Sequence, residues 1–482
     1  MAGSPRGWRR RDALGGIATL IATTAAPGPL WAAAPFQISA SLPDPILHGG
    51  LIYDVRPAGY VAEEFLLSGL ANVYDTVTMA DSLEMNSRDT PADLGRRTFE
   101  RKVVAPHRPY TTRVVVYRPA DPAKASGRVI MEPTHPIGGG MLSVFGPMND
   151  IITANGDIHV SVSIPVTFDA LKRSDPARYG ALTAEHPTQI WGMLRDAGIA
   201  VKLHRSLIPA IYPTRTLIMT GYSYTGVATA TFANFHHNDT RTPQGRPVYD
   251  GYLPMANATF VRPLDAPVMR MNTQSDYDSF GGLHNRSPDS DSASGRHRLY
   301  EVPGAAHIRQ EAAWPGLAPR PHPLNNFVAP AAIPQGGEQA TCKASFPADS
   351  RENDFPFHHY AAAALENLYI WIENGRAPPP GALIATTPDG RIRLDATGNA
   401  LGGLRSSQLD VPIATYGVGS GKCMLAGYTA PFPDARINRL YGDRDGYAKR
   451  VDRRVRELVS ARLLRPREAA FITAEAAQHP LG

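Results

Sequence analysis

The chain has 482 residues, 43% of them hydrophobic and 19% charged, an ordinary globular composition with ample length to bury a core. Its formal net charge of +5 invites a nucleic-acid reading, but Arg6, Arg9, Arg10 and Arg11 against Asp12 put +3 of it in residues 1–34. No basic stripe interleaved with aromatics follows, so a nucleic-acid partner is excluded.

The N-terminus has the layout of an export signal. Trp8-Arg9-Arg10-Arg11-Asp12 precedes a modest apolar run, Ala13 to Ala26, and then the small residues Ala32-Ala33-Ala34. The arginine cluster favours twin-arginine export to the periplasm or beyond. The run is shorter than the roughly 20 residues a membrane span requires. Residues 1–34 are therefore expected to be a signal peptide and residues 35–482 one elaborated domain.

Segments 101–104 and 112–117 (TRVVVY) have strand composition, and 128–132 (RVIME) reads as a short buried strand. A glycine-rich loop, 133–140, follows it, and 158–164 alternates as a further strand. Residues 187–205 carry apolar side chains at helical spacing. Next come an apolar strand at 216–220, a tight turn at 221–226 and a helix at 227–235. Strands are expected at 267–272 and 298–302, and a helix over 358–374 that Gly375 caps and Pro378–Pro380 stop. Alternation of this kind predicts an α/β fold, with a mostly parallel central sheet and helices on both faces. N-terminal β-rich and C-terminal loop-rich elaborations flank it, the latter ending in a basic amphipathic helix.

Gly221-Tyr222-Ser223-Tyr224-Thr225-Gly226 stands between an apolar strand and a helix, the setting of a nucleophile elbow. Close helix–strand packing calls for small residues two before and two after the serine. Gly221 meets the first requirement, while Thr225 stands where glycine is usual and Gly226 lies one further on. A serine hydroxyl needs a base, and the base needs an orienting acid. In α/β-hydrolases they follow the serine in the order acid, then histidine, each after a strand. Asp276 follows strand 267–272, with Asp278, Asp289 and Asp291 as alternatives. His307 follows strand 298–302 in a loop of small residues. The oxyanion hole is expected from the amide of Tyr224 and a second amide in loop 134–140, from His135 or Ile137, since Pro136 has none. No metal or organic cofactor is required. Cys342 and Cys423 can form a disulfide or stay as two buried thiols, and neither has the neighbours of a zinc site.

Six stretches, Gly59–Asp75, Tyr110–Pro119, Gly221–Gly226, Tyr300–His307, Asp410–Tyr416 and Gly427–Pro433, together resemble the bacterial family of exported "alpha/beta hydrolase domain" proteins. The resemblance implies the α/β-hydrolase fold and a triad of Ser223, His307 and an acid near Asp276. Relatives often carry glutamine where this chain has Tyr224. The expected activity is cleavage of a small-molecule carboxylic ester. An amidase, an acyltransferase or a non-catalytic binding protein of the same fold are the alternatives.

Overall fold

A computed structural model describes residues 36–45, 53–75, 99–136, 140–204, 206–279, 285–308 and 342–479, all within the unit Pro35–Gly482. The expected signal peptide lies outside them.

A ten-stranded sheet organises the unit. In chain order its strands are β1 (Phe36–Ile38), β2 (Tyr60–Tyr74), β3 (Val103–Pro119), β4 (Arg128–Pro133), β5 (Ile158–Val162), β6 (Thr183–Ala184), β7 (Thr216–Tyr222), β8 (Gly251–Met255), β9 (Val268–Thr273) and β10 (His297–Val302). The spatial order is β1-β2-β3-β5-β4-β7-β8-β9-β10, with the short β6 on β3. From β5 to β10 every pairing is parallel, whereas β1, β2 and β3 form an antiparallel flank. Strands buried on both faces explain why β7 and β8 carry almost no exposed residue.

Four helices flank the centre of this sheet: α1 (Phe145–Asn155), α2 (Ile190–Ile199), α3 (Tyr224–Phe235) and α4 (Phe357–Asn374). Ile218, Leu253, Met269, Met271 and Tyr300 turn one face of the strands toward α1 and α4 in a single apolar core. Alternate residues point the other way, as Tyr252 does when its hydroxyl meets His237 just past α3. Helices therefore cover both faces, as the sequence predicts.

Differences from expectation have local causes. Residues 103–104 of the first predicted segment and all of 112–117 belong to one strand, β3, paired along β2 with register shifts near Ala71 and Val73, while 101 and 102 precede it. The stretch 187–205 divides into a 3-10 turn, the α-helix α2 and a π-helical end, Ala200–His204. Helix α1 gave no periodic signal, and its first amides are held by a buried carboxylate, with Glu132 accepting from Val144 and Phe145.

β11 (Arg351–Glu352), just before α4, pairs with β13 (Gly427–Pro431), which also pairs with β12 (Ala414–Val418), and the three form a separate antiparallel sheet. Helices Arg444–Ser460 and Pro466–Gln478 then close over the α4 side of the core through Val451, Val455, Leu458 and Ile472. Cys342 and Cys423 are joined in a disulfide. Among the described residues no helix is long and apolar enough to cross a membrane.

Candidate active site

The strand β7 ends at Tyr222, and α3 begins at Tyr224, so Ser223 alone makes the turn between them. Its backbone sits at φ 58° and ψ −124°, a conformation that costs a non-glycine residue of order 1–3 kcal/mol. Such strain persists only where the surroundings dictate it. Here the Ser223 amide donates to Met255 O on the next strand at 3.0 Å, and Val227 N returns to Ser223 O at 2.9 Å.

Glycines permit the turn. A Cβ on Gly221 would lie 2.2 Å from Thr225 O, and one on Gly226 would lie 2.3 Å from Met255 O. The close approach expected two residues after the serine thus falls three after it, at Gly226. That frees position 225 for a buried threonine, whose Oγ1 lies 2.9 Å from both Tyr222 N and Tyr222 O. Oγ1 is also 3.0 Å from Ser143 Oγ, which donates to Glu132.

His307 Nε2 lies 2.7 Å from Ser223 Oγ, and His307 Nδ1 lies 2.8 Å from Asp276 Oδ1. Asp276 is fully buried in the short helix Gln274–Ser279 that follows β9, and His307 follows β10. The other carboxylates considered do different work. Asp291 pairs with Arg298, and Asp289 accepts from Gly381 N beside the same arginine. The side chain of Asp278 lies outside the described residues.

The loop carrying His307 is held from four sides. Gly304 N donates to Gln274 Oε1 at 2.7 Å, and Gln274 N to Ala305 O at 2.9 Å. The buried Asn353 donates to Gly304 O and accepts from Ala306 N. His307 N donates to Ser275 Oγ at 3.1 Å, and Tyr222 Oη donates to His307 O at 2.6 Å. Sequence reasoning did not single out Asn353, Ser275 or Tyr222. The last two adjoin the acid and the nucleophile, a signal that was available; Asn353 lies far along the chain and offers none.

Tyr224 is the first residue of α3, so its N–H is one of the first-turn amides that a helix leaves without an internal partner. His135 does not supply the second. Its N–H donates to Met141 O at 2.8 Å in a bridge that closes the loop on itself, which corrects the expectation for that residue. Ile137 lies outside the described residues. The His135 imidazole, buried and edge-on to the Tyr224 ring, stays near the site, and burial together with the His307 ring holds its pKa down at about 4. Among the described residues no group of three or more His, Cys, Asp or Glu is placed to hold a metal ion.

A family described as "Alpha/beta hydrolase domain" matches residues 20–474. No curated protein matches the chain. Similar solved structures include an alpha-beta serine hydrolase homologue from Coxiella burnetii, with 11% identity and TM-score 0.26 over 41% of this chain and 84% of that one. Another is a serine hydrolase without lid from Xanthomonas campestris, with 14% identity and TM-score 0.27 over 41% and 80%. A third is a Pyrobaculum calidifontis esterase, with 13% identity and TM-score 0.25 over 40% and 71%.

Proposed function

The chain belongs to the alpha/beta hydrolase domain family, and on that premise we propose that it is an exported serine hydrolase cleaving a carboxylic ester of a small molecule. One observation carries the reading: the unbroken line from Ser223 Oγ through the His307 ring to Asp276, at 2.7 and 2.8 Å, starting on a strained elbow.

In this reading Ser223 Oγ attacks the ester carbonyl while His307 Nε2 takes its proton. Asp276 holds the Nδ1–H and steadies the imidazolium that forms. The Tyr224 N–H, at the positive end of α3, donates to the developing oxyanion. His307 then returns the proton to the leaving alcohol, and water, activated by the same ring, releases the acyl group. His135, held neutral at pH 7, adds no positive charge beside the imidazolium. The Cys342–Cys423 disulfide supports the exported part, since such bonds persist in oxidising compartments.

A fluorophosphonate probe tests the chemistry, because it labels only an activated serine. The wild type should be labelled, and Ser223→Ala should lose both labelling and turnover of p-nitrophenyl esters by several orders of magnitude while keeping its fold. Near-wild-type turnover in that variant would overturn the assignment. Replacing Arg9, Arg10 and Arg11 by lysine should retain the precursor in the cytoplasm; undiminished export would remove the twin-arginine route.

A further inference from the structure

The side chain of His307 bridges Ser223 and Asp276, and its main chain is held by the residues immediately before each of them. Ser275 Oγ accepts from His307 N at 3.1 Å, and Tyr222 Oη donates to His307 O at 2.6 Å. The nucleophile's loop and the acid's loop therefore each grip this one residue twice, once at a ring nitrogen and once at a peptide group.

We propose that Tyr222 and Ser275 are positioning residues that set the distance of the His307 ring from Ser223 Oγ, an inference that rests on the serine-hydrolase reading. The loop needs such bracing. It turns through Gly304 at φ 81° and continues with Ala305 and Ala306, whose side chains are too small to lock its depth by interdigitation. Both braces are anchored. Ser275 is fully buried in the helix that carries Asp276. Tyr222 is fixed at its own peptide by the Thr225 hydroxyl, at 2.9 Å from N and 2.9 Å from O. Its ring lies 5.5 Å from the His307 ring and 5.9 Å, edge-on, from Phe357. The phenol thus has little freedom to follow the histidine loop; it limits that loop's travel. A displacement of about 1 Å between reacting groups can cost on the order of 100-fold in rate. These two hydrogen bonds hold the peptide groups of His307 and not its ring nitrogens, so the effect should fall on the chemical step and not on substrate binding.

Tyr222→Phe keeps the ring and removes only the donor, and Ser275→Ala removes only the acceptor. Each should lower kcat for a p-nitrophenyl ester by about 10- to 100-fold with KM within about twofold, and slow fluorophosphonate labelling by a similar factor. Wild-type kcat in both variants, with Ser223→Ala inactive, would overturn the inference while leaving the serine reading intact. A raised KM at unchanged kcat would overturn it too, by assigning Tyr222 or Ser275 to substrate binding. Turnover surviving Ser223→Ala would remove the serine reading and this inference with it. Thermal unfolding of each purified variant guards against misfolding. If one of the pair fails to fold, the other carries the test.

Discussion

Asp276 Oδ2 accepts two hydrogen bonds from Thr273, from the amide at 2.7 Å and from the hydroxyl at 2.8 Å, which leaves Oδ1 to His307. The acid is therefore oriented by a residue of its own turn, and this decides how an amide would sit in its place. In Asp276→Asn the carbonyl oxygen must face the two Thr273 donors, which turns the NH2 toward His307 Nδ1. That ring nitrogen would then have to accept, placing the proton on Nε2, where the serine's proton should go. Turnover should fall by about 10⁴-fold with the fold retained, as wrong-tautomer variants do elsewhere. Steady-state kinetics on the purified variant check it, and a loss below about tenfold would remove Asp276 from the role.

The elbow, the order of the three side chains and the alternation of strands and helices were legible because each rests on local pattern. Ser223 stands between two glycines after an apolar strand, and His307 follows a strand in a run of small residues. What sequence hid were features completed by distant partners. Tyr60–Tyr74 looks unlike a strand because Glu63 and Glu64 interrupt it, yet Glu64 is neutralised by Arg113 on β3 and by Arg178. β8, with Gly251 and Pro254 in five residues, has poor strand chemistry and exists because β7 and β9 flank it. The His135 amide was misjudged because only the fold reveals that Met141 O consumes it.

The glycines of the elbow should tolerate no side chain. Gly221→Ala and Gly226→Ala each drive a methyl into backbone, at 2.2 Å from Thr225 O and 2.3 Å from Met255 O, where nothing flexible can yield. Each should cost about 1–3 kcal/mol or more of stability and most of the turnover. Gly245→Ala is the contrast: its φ of 77° makes a side chain unfavourable, but nothing lies within 4 Å and it is remote from the triad in sequence. It should lower the Tm and leave kcat unchanged. Equal kcat losses in all three variants would contradict this.

Cys342 and Cys423 lie 81 residues apart, and the bond between them constrains the unfolded chain by about 4 kcal/mol on loop-entropy grounds, toward the upper end for one disulfide. Thiol titration of the denatured, unreduced protein should find no free sulfhydryl. Paired replacement by serine should lower the Tm by several degrees; two titratable thiols would refute the bond.

Stability should fall as the solution is acidified below about pH 6.5, and buried imidazoles set the direction. Burial holds His135 and His237 down at about 4 and His297 at about 3, against an ordinary value of 6.5. Arg270 and Arg298 press His297 further in the same direction, with a backbone carbonyl of Pro288 opposing them. Each group binds its proton less readily folded than unfolded. Their stabilising effect is thus fully present above about pH 6.5. It is lost as pH falls through the folded values, because the unfolded chain takes up those protons first. Asp157, pushed up to about 6 by burial, works the other way between its ordinary value and 6, as do Asp150, Asp196, Asp250 and Glu475, which burial also raises. Against them stand His236 and His479, lowered by burial, and Glu64, Asp265, Glu373 and Asp395, held down against burial by their hydrogen-bond and charge partners, so the loss on acidification prevails. The Tm should therefore be lower at pH 4.5 than at pH 7, and His297→Gln should reduce that difference. Thermal scans across pH 4–7 measure both, and a Tm that rises on acidification would contradict the account.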